Sequence, residues 1–126
     1  MMSSIVYYYN FELQILEVTY DGVISIEDLM EFGNKIMKDK TLPLNLKVLT
    51  DATKAVYNFT EDDLTEIAIA FKNNTSHFKS FRGAFIYEEP LGLAYSILFE
   101  KKQEVDNYQH KVFSTKQAAL KWLIEE

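Results

Sequence analysis

The N-terminal part of the chain shows the alternation of apolar and polar side chains that is typical of strands. Residues 5–10 are β-branched and aromatic, and residues 13–20 place apolar side chains at every second position. A period of two indicates half-buried strands. Because only residues 10–12 separate the two segments, we predict an antiparallel hairpin, and we expect Asp21-Gly22 to turn the chain after it.

The rest of the chain alternates between segments with helical spacing of apolar residues and short apolar segments. The short segments predict three further strands, at residues 46–50, 83–87 and 110–113. The helical segments follow residues that favour helix starts, namely Ser25, Thr60, Pro90 and Ser114. The third helix is expected to reach about Asp106. The fourth is expected to bury Ala118, Ala119, Trp122 and Leu123.

The resulting element order is ββαβαβαβα. Parallel strands require helical crossovers, whereas a hairpin requires only a tight turn. Right-handed crossovers place the strands after the hairpin side by side and parallel, which leaves only the first strand antiparallel. A chain of 126 residues is long enough for one core and too short for two. We therefore predict one α/β domain over residues 1–126, with a mixed, mostly parallel five-stranded sheet and four helices.

Composition narrows the range of partners. The formal net charge is −6 and Arg82 is the only arginine, so nucleic acid and anionic membranes are unfavourable partners. Cysteine is absent, which excludes disulfides and thiol catalysis. No segment approaches membrane-spanning length, and the apolar run at residues 5–9 is too short for a signal peptide. We expect a cytoplasmic protein that neither binds nucleic acid nor inserts into membranes.

Three segments, taken in order, carry a resemblance to a known family. Residues 20–28 look like a strand, a glycine turn and a helix start. Residues 47–51 look like a central apolar strand that ends in Asp. Residues 112–123 look like a closing strand and helix. In these features the chain resembles the SpoIIAA-like proteins, whose fold is shared by STAS domains and anti-sigma-factor antagonists. The resemblance implies that fold and a role in protein–protein binding.

The best-known branch of that family is switched by phosphorylation of a serine at the start of the helix after the third strand. The matching segment here is residues 58–63, where Thr60 is the only hydroxyl residue and three acidic residues follow it. A phosphate beside them would meet like-charge repulsion. The resemblance is therefore to a less characterised branch without the switch. We predict that Thr60 is a helix cap that accepts a backbone N–H, not a phosphosite.

The third helix carries the strongest indication of a binding surface. Its apolar residues spread over far more than the stripe of about 100° that a surface helix needs. Helical spacing predicts that Leu91 points to the core and that Tyr95 and Phe99 flank it. Deep burial, a homodimer interface and a groove for an apolar ligand all account for such an arc. Leu91, Tyr95 and Phe99 are therefore candidate ligand or interface residues, together with Asp51 at the expected end of the third strand.

Candidates for catalytic chemistry are few. Asp51 at the expected end of the third strand, and Glu88-Glu89 after the fourth, would share the rim where open α/β sheets bind ligands. An Asp after a strand is, however, commonly a turn or capping residue. His77 and His110 have no nucleophile motif beside them and are expected at surface or sheet-edge positions. We predict no catalytic residues, no metal site and no cofactor.

Three functions therefore stay open. The first is a non-enzymatic cytoplasmic interaction or regulatory module of SpoIIAA-like type, with an unknown protein partner. The second is a carrier of a small apolar ligand bound near the third helix. The third, which the missing motifs disfavour, is an enzyme that uses the rim carboxylates Asp51 and Glu88-Glu89. The surroundings of the third helix and of Asp51 distinguish these functions.

Overall fold

The computed structural model describes residues 4–125, so residues 1–3 and 126 of the predicted domain lie outside the described part. Within it the strands are β1 (Ser4–Asn10), β2 (Ile15–Ile24), β3 (Asn45–Tyr57), β4 (Ser80–Ile86) and β5 (Tyr108–Phe113). The helices are α1 (Ile26–Lys38), α2 (Asp63–Thr75), α3 (Pro90–Lys102) and α4 (Lys116–Ile124). None of these helices is long and apolar enough to cross a membrane. The observed order matches the predicted order.

The strands lie in the sheet in their order along the chain, from β1 to β5. β1 and β2 are antiparallel, and every later neighbour pair is parallel. The predicted mixed, mostly parallel sheet is confirmed. Its regular order follows from crossovers of one handedness that each advance the chain by one strand.

The crossovers also decide which face of the sheet each helix covers. Three crossovers that advance in the same direction place α1, α2 and α3 on one face, where they enclose the larger core with Leu16, Val18 and Val48. The final helix, α4, covers the other face and buries Ala119 and Leu123 there. Three helices therefore cover one face of the sheet, and one helix covers the other.

β2 and β3 continue beyond their predicted ends. β2 runs through Asp21-Gly22, and residues 21–24 pair with residues 54–57 of β3 after a register shift. Gly22 has φ of 86°, a left-handed value that suits glycine. The predicted turn at Asp21-Gly22 is therefore wrong, because the glycine serves an irregularity within a strand. Pairing between β2 and β3 stabilises the additional residues of both strands. This pairing cannot be seen in the sequence pattern of either strand alone.

Side-chain caps define the starts of α1 and α4. Ser25 accepts the backbone N–H of Asp28 at 3.1 Å, and the Asp28 carboxylate accepts that of Ser25 at 2.9 Å, as the predicted cap requires. The cap of α4 is Thr115, which accepts the N–H of Ala118 at 3.2 Å. The predicted cap at Ser114 is therefore one residue early. Ala118 is exposed rather than buried.

α3 is shorter than predicted. It ends at Lys102, and Gln103 is its extended C-cap. The side-chain carbonyl of Gln103 accepts the backbone N–H of Val105 at 2.8 Å. This local bond offers the backbone an alternative to another helical turn, so the helix stops before the expected Asp106.

α3 is also rotated relative to its predicted core direction. Its buried positions are Gly92 and Ser96, whereas Leu91 is 46% exposed. Gly92 packs closely against Tyr87, since a Cβ at this position would lie 2.7 Å from the tyrosine ring. Only glycine fits there without movement of the ring or the helix. The predicted core direction through Leu91 is therefore wrong. The outer face of α3 keeps apolar residues in contact with solvent, namely Leu91, Leu93 and Ile97.

Candidate functional site

An apolar cavity lies between the sheet and the three helices α1, α2 and α3. Its volume is about 160 Å³. Tyr20 and Thr50 form part of its floor on the sheet, and Phe71 of α2 is part of its wall. Apolar and aromatic side chains make up most of the lining. A cavity of this kind favours an apolar occupant over bulk water.

Two of the three candidates on α3 line this cavity. The ring of Tyr95 stacks on Phe59, with centroids 5.6 Å apart, and its hydroxyl donates to the Phe59 carbonyl at 3.3 Å. Phe99 packs edge-on against Phe71, with centroids 5.3 Å apart. Tyr95 and Phe99 therefore face the protein interior, and only Leu91 of the three points outward.

A chain of hydrogen bonds extends from the cavity wall into β5. The hydroxyls of Tyr57 and Tyr87 are 2.8 Å apart, and Tyr87 also bonds to Ser96. Ser96 Oγ lies 2.5 Å from His110 Nε2, and the hydroxyl of Tyr108 lies 2.5 Å from His110 Nδ1. Each hydroxyl can both donate and accept, so the chain satisfies its polar groups within the core.

The polar groups of this chain are uncharged at neutral pH. Burial lowers the pKa of His110 to about 4, because the imidazolium loses its hydration. Burial also raises the pKa of Tyr87 to about 12 and raises the pKa of Tyr57 and Tyr108. The chain therefore brings hydrogen-bonding capacity to the cavity wall without bringing charge.

The contacts of His110 resemble part of a catalytic triad, since a hydroxyl, an imidazole and an orienting group lie in a row. Ser96, however, sits inside α3 and is 4% exposed. The backbone N–H groups around it are used by the helix and are not free to stabilise an oxyanion. With its lowered pKa, His110 is also a weak base. The geometry therefore supports a hydrogen-bonded wall rather than acyl transfer.

His77 is exposed, and His110 lies on β5 at an edge of the sheet, as expected. The hydrogen bonds of His110 to Ser96 and Tyr108 were not expected from the sequence. Tyr108 and His110 occupy alternate positions of β5, so their side chains share one face. Gly83 on the neighbouring strand makes room for them, because a Cβ there would lie 2.6 Å from the Tyr108 hydroxyl. The sequence signal for such a cluster is a strand with Tyr and His two positions apart, next to a strand that carries a small residue.

Asp51 lies within β3 and not at its end, so its predicted place on the rim is wrong. It alternates with Thr50 and thus points to the face that α4 covers, away from the cavity. Its carboxylate accepts the backbone N–H of Thr53 at 3.0 Å and the hydroxyl of Thr53 at 2.7 Å. Within residues 4–125, no hydrogen bond or ion pair joins it to Glu88 or Glu89, and no group of three His, Asp or Glu is placed to hold a metal ion.

Thr60 donates where it was predicted to accept. Its backbone N–H and its hydroxyl both point to the Asp63 carboxylate, at 2.9 and 3.2 Å. α2 begins at Asp63, and its N-cap, Asp62, makes no side-chain cap bond. The acidic side chain is therefore the acceptor at this helix start, and the predicted acceptor role of Thr60 is wrong.

Comparison with known proteins bears on the fold. No family model and no curated protein matches the chain. Among solved structures it is similar to an uncharacterized protein of the DUF3478 family from Shewanella loihica PV-4, which has a SpoIIAA-like fold. The two chains are 18% identical, the match covers 98% of this chain and 96% of that one, and the TM-score is 0.62. The predicted SpoIIAA-like fold is confirmed, and at this identity the likeness concerns the fold alone.

Proposed function

We propose that this chain, with its SpoIIAA-like fold, binds a small and mainly apolar molecule in the cavity beneath α3. The supporting observation is that cavity, which is lined mostly by apolar and aromatic residues and includes Tyr95 and Phe99 of α3. It favours a carrier or sensor of a small ligand over an enzyme, because Asp51 lies within β3 and not at the strand end where it was expected beside Glu88-Glu89.

The size of the cavity sets the expected affinity. An unfilled apolar cavity costs about 24 cal/mol per Å³, so 160 Å³ corresponds to roughly 4 kcal/mol. A molecule that fills the space recovers at most that free energy, which corresponds to a Kd near 1 mM. An engineered apolar cavity of about 150 Å³ binds benzene, so a ring-sized molecule is the appropriate probe.

An NMR titration tests this proposal, because a ligand with a Kd of about 1 mM would be lost during purification. In an NMR titration with toluene, we expect the resonances of cavity residues such as Tyr95 and Phe99 to shift, with a Kd on the order of millimolar.

A pair of neighbouring variants supplies the control. Ala70 lines the cavity, whereas Ile69 beside it is 60% exposed. Ala70→Trp is expected to fill the space and abolish toluene binding, while Ile69→Trp leaves binding unchanged. Absence of toluene binding by the wild-type protein, or equal binding by the folded Ala70→Trp variant, contradicts the proposal.

We propose, as a second function, that two copies of the chain associate through the outer face of α3 and so form an interaction module. Leu93 and Ile97 are 41% and 48% exposed on this face. Exposed Glu89 precedes the helix, and exposed Lys101 lies in its last turn. Two antiparallel copies of α3 related by a two-fold axis would pair apolar centres and place each acidic end beside a basic end.

Sedimentation at micromolar concentration tests this association. A stable dimer buries about 1,000 Å² or more in total. Leu93→Glu combined with Ile97→Glu is expected to give a folded monomer, because like charges would meet across the axis. Ile69→Glu on α2 is the control and is expected to leave the dimer intact. A monomeric wild-type protein rules out this second function without bearing on ligand binding.

A further inference from the structure

Two hydroxyl groups on the floor of the cavity differ from the other buried hydroxyls. Tyr20 is 6% exposed and Thr50 is 2% exposed, and both line the cavity. Among the residues that the structure describes, neither side chain has a hydrogen-bond partner. Tyr57 and Tyr87, by contrast, bond to each other at 2.8 Å. A buried hydroxyl without a partner carries a desolvation cost, so its retention requires a physical reason.

These two hydroxyls are open to the cavity. Across residues 4–125, the side-chain polar atoms that are both fully enclosed and unpartnered are Arg82 Nε and Glu100 Oε2. The hydroxyls of Tyr20 and Thr50 are unpartnered but not enclosed by protein atoms. Because both residues are almost completely shielded from the outside, the space beside their hydroxyls is the cavity itself.

The two residues lie side by side on the sheet. Val18 of β2 pairs with Thr50 of β3, and Tyr20 is two residues farther along β2 on the same face. Their Cα atoms are therefore about 7 Å apart along the strand direction. The cavity thus presents two unpartnered hydroxyl groups on neighbouring strands, in addition to the polar side chains of Asn74 and Ser96 elsewhere in its lining.

The lining carries no charged side chain that could accompany an ion. None of the lining residues is Asp, Glu, Lys, Arg or His. Burial raises the pKa of Tyr20 far above neutrality, so its hydroxyl remains a donor. A carboxylate or ammonium group in this space would lose its hydration without a counter-ion, which is strongly unfavourable.

We propose that the occupant is an uncharged, ring-sized molecule with one hydroxyl or carbonyl oxygen, which accepts a hydrogen bond from Tyr20. This inference rests on the proposed ligand-binding function and specifies its chemistry. The ring fills the apolar part of the cavity, and its oxygen lies on the floor beside Tyr20 and Thr50. The same hydroxyls would then have the partner that the protein does not provide.

Three probes of similar size separate the contributions: toluene, phenol and benzoate, titrated at pH 7 and followed by NMR. One neutral hydrogen bond is worth a factor of about five in affinity. We expect phenol to bind about fivefold more tightly than toluene, and benzoate to bind more weakly than either. Tyr20→Phe is expected to weaken phenol binding to the level of toluene or below it, because the buried phenol hydroxyl loses its partner. The same variant is expected to leave toluene binding unchanged.

The control variant is Tyr8→Phe, which removes a hydroxyl from an exposed residue of β1 outside the cavity. It is expected to bind all three probes as the wild-type protein does. Equal affinity of the wild-type protein for phenol and toluene, or benzoate binding as tight as phenol binding, overturns this inference and leaves the proposed function standing. If neither toluene nor phenol binds, the proposed function itself fails. If Tyr20→Phe does not fold, the ratio of phenol affinity to toluene affinity in the wild-type protein still tests this inference.

Discussion

Gly92→Ala tests the packing of α3 against the wall of the cavity, because helix propensity and packing predict opposite results. Replacing Gly by Ala within a helix stabilises a protein by up to about 1 kcal/mol, and Gly92 is the third residue of α3. In this structure the new Cβ would lie 2.7 Å from Cδ1 and 3.0 Å from Cε1 of Tyr87. The ring of Tyr87 or the helix must therefore move.

Either movement costs free energy. Tyr87 is bonded to Tyr57 at 2.8 Å and stacks beside Phe85 with an interplanar angle of 4°. Overpacking of a core costs about 1–3 kcal/mol, and loss of the Tyr57 hydrogen bond adds about 1 kcal/mol. After subtraction of the helix gain, we expect Gly92→Ala to lower the free energy of unfolding by roughly 1–3 kcal/mol.

Urea denaturation measures this difference. With an m-value of about 2 kcal/mol/M, a loss of 2 kcal/mol shifts the midpoint by about 1 M. Gly33→Ala on α1 is the matched control, because its Cβ would meet only the flexible end of Asn74, at 2.7 Å. That variant is expected to be neutral or stabilised. Stabilisation of Gly92→Ala by about 1 kcal/mol would refute the packing argument.

Two further predictions concern pH and the start of α2. The pKa of His110 is about 4 in the folded protein and about 6.5 in the unfolded chain. The unfolded chain therefore binds a proton first as the pH falls. The free energy of unfolding has its full value above pH 6.5 and decreases by about 3 kcal/mol as the pH falls towards 4. Urea denaturation should show this loss in the wild-type protein and not in His110→Gln; a His110 NMR titration midpoint near 6.5 would contradict it. Thr60→Ala should cost less than about 0.5 kcal/mol, whereas Asp63→Ala should cost about 1 kcal/mol, since Asp63 is the acceptor. Equal thermal stabilities of these two variants would exclude that assignment.

The candidate site was only partly predictable. The aromatic residues of α3 point to a binding or interface surface from the sequence alone, and Tyr95 and Phe99 do line the cavity. The hydrogen-bonded cluster around His110 was missed, because Ser96 and His110 come from different elements that meet only in the folded chain. Asp51 was misplaced for a similar reason: pairing of β3 with β2 carries the strand past it to Tyr57.

The order of elements and the topology of the sheet follow from the sequence alone. A spacing of two in β2 and helical spacing between the later strands leave few alternatives to a hairpin followed by parallel crossovers. The side of α3 that faces the core, in contrast, depends on packing contacts that exist only in the folded chain. Since α3 is apolar around most of its surface, periodicity could not select a face. The close approach of Gly92 to Tyr87 and the contact of Ser96 with His110 made that selection, because only small side chains fit there.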